Sequence, residues 1–113
     1  MTGIILSRRT ALAGLTAVLV GGTGAVRAAP AEHVVTLSKM KFGPAPASLV
    51  VGDVIVWMNK DPVRHTATAR DGSFDIDLPP GTEGRLTLQT PGEIEVYCRF
   101  HPGMKLTLTV NPA

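Results

Sequence analysis

The sequence contains one cysteine, Cys98, so no disulfide can form within the chain. Small exported domains often offset a thin core with such bridges, and this chain has to do without them. It also lacks an apolar stretch long enough to cross a bilayer, which takes about 20 residues. The longest uncharged run, Thr10 to Val26, is shorter than that and is diluted by Gly21, Gly22 and Gly24. Past Ala31 there are no internal repeats and no low-complexity tracts, and no segment shows the 3.6-residue periodicity of a helix.

Before that point the chain has a different character. Arg8 and Arg9 precede the uncharged run, which closes on small residues up to Ala28. A charged, then apolar, then small-residue layout is that of an export signal. Cleavage is expected after Ala28, making residues 1–28 the signal and residues 29–113 a single domain with one small core. The stretch SRRTALAG resembles the twin-arginine export motif, although Ala11 stands where a large apolar residue is more usual, so the general secretory route stays open. Either route places the mature protein in the bacterial periplasm.

The signal also distorts the charge. The formal +2 counts Arg8, Arg9 and Arg27, whereas all nine acidic residues follow the cut. The mature part balances eight basic against nine acidic groups, a net of −1. Nothing in that balance supplies the clustered positive field that nucleic acid or an anionic membrane surface requires. Neither is expected as a partner, and no stable membrane association is expected after cleavage.

What remains is a series of short alternating runs broken by Gly and Pro. In EIEVYC, Ile94, Val96 and Cys98 fall on one face, with Glu93, Glu95 and Tyr97 on the other. RLTLQT alternates Leu86 and Leu88 against Arg85, Thr87 and Gln89, and KLTLTV places Leu106, Leu108 and Val110 together. Period-two alternation marks strands with one face in a core. DVIVWMN is apolar on both faces, which predicts a more central strand, with Trp57 in the core. Turn signals at 43–46, 51–53, 60–62, 70–72, 78–81 and 90–92 separate these runs. That density predicts an all-β fold, a β-sandwich or small barrel.

A leftover cysteine in an oxidising compartment is an intermolecular bridge, a reactive thiol or a metal ligand. Cys98 shares a face with Ile94 and Val96 and so points inward, badly placed for a bridge. A nucleophile wants a histidine base oriented by a carboxylate or amide, and the loop after Cys98 offers no such third group. In YCRFHPGM, two residues separate Cys98 from His101, and two more separate His101 from Met104. Soft sulfur donors combined with imidazole select copper over magnesium or calcium. Two imidazoles, one thiolate and a distant thioether make up electron-transfer copper sites. The loop supplies all of these except the second imidazole. His65, just past the most apolar strand and its turn, is the better candidate, because strand ends meet at one pole of a sandwich. His33 lies near a terminus expected to fray. Asp71, Asp75 and Asp77 are scattered without the spacing of a calcium loop and read as a solvated face.

With these residues in view, the span MKFGPAPASLVVGDVIVWMNKDPVRHTAT followed by GEIEVYCRFHPGMKLTLTV resembles the cupredoxins, the small blue copper proteins. Within them it is nearest to the amicyanin and plastocyanin group. The resemblance runs from about Val34 to Val110, and the compact Cys-x-x-His-x-x-Met spacing is amicyanin's. It implies a Greek-key β-sandwich holding one copper ion, with His65, Cys98 and His101 as equatorial ligands and Met104 as the weak axial one. It further implies one-electron transfer between redox protein partners, by a monomer that is not an enzyme, with docking near His101. A copper carrier delivering the ion to another exported protein is the alternative, and a metal-free interaction module a third.

Two positions depart from that family. Thr66 stands where asparagine commonly follows the first histidine and ties the two ligand loops together; its hydroxyl is expected to do part of that work and its N–H to reach the sulfur. Phe100 stands where proline is usual, so a second N–H could bond the Cys98 sulfur. Around His101 the residues Pro62, Val63, Phe100, Pro102 and Gly103 are expected to form an apolar rim. Arg64 and Arg99 would flank it and favour an acidic partner.

Overall fold

A computed structural model of the protein describes residues 29–113. The expected signal segment, residues 1–28, lies outside the described residues. Among the described residues nine strands follow in chain order: β1 (Glu32–Ser38), β2 (Lys41–Phe42), β3 (Leu49–Val50), β4 (Val54–Asn59), β5 (His65–Ala69), β6 (Asp75–Leu78), β7 (Glu83–Thr87), β8 (Gly92–Cys98) and β9 (His101–Asn111). They form two sheets, one ordered β3-β9-β8-β5-β6 and the other β2-β1-β4-β7. Among the described residues no helix is long and apolar enough to cross a membrane.

The alternating faces meet between the sheets. From β8, Ile94, Val96 and Cys98 turn inward, and from β9, Leu108 and Val110 do the same. The other sheet contributes Val35 and Leu37 from β1 and Ile55 and Trp57 from β4, all buried. The strand with apolar residues on both faces, β4, runs between β1 and β7, as expected of a central strand. Phe42 meets the ring of Trp57 edge-on at 5.9 Å between centroids, a favoured arrangement for aromatic pairs.

Two elements differ from the sequence reading. The segment around His33 does not fray. It forms β1 and pairs in parallel with the whole of β4, from Glu32 opposite Val54 to Leu37 opposite Asn59. The RLTLQT run is displaced, since β7 begins earlier, at Glu83, and ends at Thr87. The earlier start takes in Gly84. Opposite Trp57 in the ladder, it leaves space that Ile76 of β6 occupies, and a Cβ there would stand 2.7 Å from that residue's Cγ2.

The chain turns between β1 and β2 through two residues, Lys39 and Met40, with φ of 55° and 62°. A two-residue hairpin loop of this hand suits the twist of its flanking strands. Left-handed backbone at a non-glycine residue costs about 1–3 kcal/mol and persists only where its surroundings hold it. The restraint here comes from Asp61 in the loop after β4. That loop is itself fixed by Asn59, whose Nδ2 donates to Val63 O at 2.8 Å and Leu78 O at 2.9 Å, while its Oδ1 accepts from Asp61 N–H at 2.9 Å.

A Gly84→Ala substitution is expected to lower the stability of the metal-free protein by about 1–3 kcal/mol through overpacking, read as a lower urea midpoint. An unchanged midpoint would show that the two sheets separate easily at this point.

Candidate metal centre

Strand ends from both sheets converge at one pole. The chain leaves β4 at Asn59, crosses the Asn59-fixed loop and enters β5 at His65. Strand β5 lies beside β8, with Thr68 opposite Tyr97 and Ala69 opposite Val96, so its first residue reaches the end of β8, where Cys98 closes the inward row. A two-residue turn, Arg99–Phe100, then returns the chain into β9 with His101 paired to Cys98, and the register shifts between His101 and Lys105. That irregularity covers Pro102, Gly103 and Met104.

Three donor atoms meet there. Cys98 Sγ lies 3.6 Å from His65 Nδ1 and 3.6 Å from His101 Nδ1. The ligand atoms of the three residues all fall within 4.8 Å of one another. The two imidazoles cross edge-on, with centroids 5.1 Å apart and planes at 71°. Cys98 and His65 are fully buried, Met104 is buried in the same cluster, and His101 is partly exposed. His65, Cys98, His101 and Met104, separated by up to 39 positions in sequence, thus gather at one pole, whereas His33 does not. It lies at the start of β1, at the far end of the sandwich, where its Nε2 is 3.0 Å from Asp53 Oδ2.

The orientation of His65 is set from behind. Its Nε2 stands 2.7 Å from Asp61 Oδ2. The Asp61 carboxyl is held below its ordinary 3.8, chiefly by the hydrogen bond from the His65 ring, then by the N–H groups of Met40 and Lys39. An ionised carboxylate only accepts, so Nε2 carries a hydrogen toward Asp61, and Nδ1 is the ring nitrogen that faces the sulfur. A carboxylate partner that fixes tautomer and ring direction is the common support of a metal-binding histidine.

The second loop is held by a closed circuit. Arg99 N–H donates to Thr66 Oγ1 at 2.9 Å, so the Thr66 hydroxyl ties the two ligand loops as expected. Thr66 and Thr68 hydroxyls are 2.8 Å apart, and Thr68 Oγ1 donates to Asp75 Oδ1 at 2.8 Å. With Thr68's hydrogen committed to Asp75, Thr66 must donate to Thr68. Arg99 Nε completes the circuit on the same Asp75 oxygen at 3.0 Å. The Asp75 carboxyl is pulled below its ordinary 3.8 by Thr68 first and then Arg99.

Other expectations fare differently. Among the described residues the sulfur has only the two Nδ1 atoms as hydrogen-bond partners, and neither Thr66 N–H nor Phe100 N–H bonds it. Phe100 stands at the tip of the turn, 49% exposed, with Arg99 beside its ring. Pro62, Val63, Phe100, Pro102 and Gly103, expected to form an apolar rim, are all exposed. Arg64 and Arg99, however, do not present bare charge, because Arg64 pairs with Asp77 and Arg99 with Asp75. Sequence reasoning missed Asp61, Thr68 and Asp75. The only available signal was Asp61 in the KDP turn, four residues before His65, and outside a helix that spacing carries no geometric meaning.

One thiol, two inward Nδ1 atoms and a buried thioether form a donor set that fits a single copper ion. Comparison with known proteins agrees with that fit. The profile of the cupredoxin-like domain matches residues 10–110. No curated protein matches the chain. Among solved structures, a copper(I) form of an amicyanin mutant is similar at 22% identity and a TM-score of 0.60, covering 71% of this chain and 82% of that one. An oxidised amicyanin mutant is similar at 22% identity and 0.59, over 77% and 87%. A copper-containing nitrite reductase from Thermus scotoductus is similar at 26% identity and 0.60, over 81% of this chain but only 24% of that one.

Thr66→Val should leave the Arg99 N–H without its acceptor and cost about 1–3 kcal/mol, whereas Thr66→Asn, which retains an acceptor, should lose less. Urea unfolding of the metal-free variants checks this, and equal losses would show that the hydroxyl is not the tie between the loops.

Proposed function

This chain belongs to the cupredoxin-like domain family, and from that membership we propose that it is a type I copper protein of the bacterial periplasm, carrying single electrons between redox partners. The observation behind this reading is the convergence of His65 Nδ1, Cys98 Sγ and His101 Nδ1 at one buried pole. His65, Cys98 and His101 are the principal ligands in this reading, and Met104 the weak fourth. When bound, copper supplies a one-electron couple between its cuprous and cupric states.

The chain's own part is to keep those donors from moving. Asp61 fixes the His65 ring, β8 fixes Cys98, and the Thr66–Thr68–Asp75–Arg99 circuit fixes the loop leading to His101. The same donor positions then serve both oxidation states, so little rearrangement accompanies electron transfer. Full burial of His65 and Cys98 keeps water away. The partly exposed His101, between the exposed Phe100 and Pro102 of its own loop, is where a partner approaches.

The likeness to the nitrite reductase spans a quarter of that enzyme and concerns a shared fold. Among the described residues His65, Cys98 and His101 form the one cluster of donors that could hold a metal ion, and a shuttle rather than an enzyme is the role that one such domain supports. Burial also argues against a copper carrier, which favours open, exchange-prone donors. Residues 1–28, read as a signal, would deliver the domain to the periplasm as a monomer.

Adding cupric ion to the purified protein is expected to give one tightly held equivalent and an intense blue colour that bleaches reversibly with reductant, and Cys98→Ser is expected to abolish the colour. Weak colour with ready loss of copper to a chelator would point instead to a carrier. No uptake would leave a metal-free β-domain.

A further inference from the structure

The described residues hold four arginines and four lysines. Arg64, Arg70, Arg85 and Arg99 each pair with a carboxylate of their own chain, Asp77, Glu95, Glu32 and Asp75 respectively. Among the described residues Lys39, Lys41, Lys60 and Lys105 have no side-chain partner. Three of the four are local to one another. Lys39 and Lys41 bracket the exposed Met40 in the β1–β2 hairpin, and Lys60 joins the end of β1 through its N–H on Leu37 O at 2.8 Å. All three are exposed, and Met40 is 42% exposed. Glu83 lines a shallow depression beside Lys60 without pairing to it. A domain whose mature net charge is −1 therefore gathers three of its four unpaired lysines in one patch, offset in part by the carboxylates of Asp61 and Glu83, with an apolar thioether at its centre.

The patch is bonded to the metal pocket. Met40 N–H donates to Asp61 Oδ2 at 2.9 Å, and the same oxygen takes the His65 Nε2 hydrogen at 2.7 Å. Lys39 N–H occupies the other oxygen at 2.6 Å. Two hydrogen bonds through one atom thus connect a surface residue to a buried ligand ring. The route lies on the β1–β2 side of the pole, over His65, whereas Phe100, Pro102 and Gly103 lie on the β8–β9 side, around His101.

We propose that the Lys39–Met40 turn, with Lys41 and Lys60, is a second docking port that receives the acidic face of a redox-partner protein and passes its electron by way of Asp61 and His65. This rests on the copper reading above. With copper bound, one electron would pass between it and the partner, oxidising one as the other is reduced, in either direction, with no bond made or broken. A shuttle with separate ports can meet donor and acceptor on different faces. The lysines set the sign of the field that steers the partner, and Met40 supplies the desolvated contact within it.

Hexacyanochromate(III), a redox-inert paramagnetic trivalent anion, serves as the probe on the copper(I)-loaded protein. Its NMR line broadening is expected at the amides of residues 38–41 and 60. Broadening confined to residues 100–103, or spread evenly, overturns the port. In a second arm ferricyanide oxidises the reduced protein, each ferricyanide taking one electron to become ferrocyanide. The rate is expected to fall as salt rises. The combined variant Lys39→Glu, Lys41→Glu, Lys60→Glu is expected to react about tenfold more slowly at low ionic strength and to converge with the parent at high salt. A parent rate that rises with salt, as net charge −1 alone would dictate, overturns the proposal. If the reversal variant fails to fold, the Lys→Gln triple tests the same prediction with a smaller change. A protein that stays colourless with copper defeats the preceding reading, while a blue protein with unlocalised broadening defeats only the port.

Discussion

The carboxylate of Asp61 accepts hydrogen bonds from three places at once: the N–H groups of Lys39 and Met40 in the first hairpin, and the ring of His65 at the head of β5. Its own N–H is spent on Asn59, which also holds Val63 and Leu78. Each bond answers a different need. The hairpin gains an anchor for two left-handed residues, the loop gains a fixed path, and the imidazole gains a direction. Remove the carboxylate and the hairpin and the imidazole lose their restraint together, while the loop keeps its backbone bond to Asn59, since a buried group that serves several partners cannot be replaced by any one of them.

The opposite wall of the pocket is built on the same plan with weaker parts. Two threonine hydroxyls, buried in the middle of β5, relay one hydrogen bond from Arg99 N–H to Asp75, and the Arg99 side chain returns to that carboxylate. Exposed ion pairs contribute little by themselves, and Asp75 with Arg99 is such a pair. Its value lies in closing the circuit, so that the turn between Cys98 and His101 is held at its backbone and at its side chain. Between the two walls the three donors have few ways to stray.

Much of this was legible from residue pattern and some of it was not. The inward row of Ile94, Val96 and Cys98 could be read because alternation in β8 is strict and its neighbours are apolar. The central position of β4 could be read because both its faces are. By contrast β5, with the sequence HTATA, is buried along its whole length, yet its composition looks like a solvated turn. Hydroxyls bonded to one another can enter a core, and no local pattern announces that. The pairing of β1 with β4 is parallel and joins segments 22 residues apart, so the His33 region looked like a loose end. The arginines at the pole were visible, but their intramolecular partners were not, and charge counted from sequence was therefore assigned to the wrong side chains.

The circular dependence of the pocket on both ends of the domain has a bearing on when metal can be captured. Its first imidazole is aimed by a hairpin formed from the earliest described strand, and its thioether arrives on the last one, so no partly emerged chain possesses the site. A polypeptide threaded across a membrane unfolded would reach the far side with scattered donors and compete for whatever ion is there. One translocated already folded would have made its choice of metal in the compartment where it was synthesised.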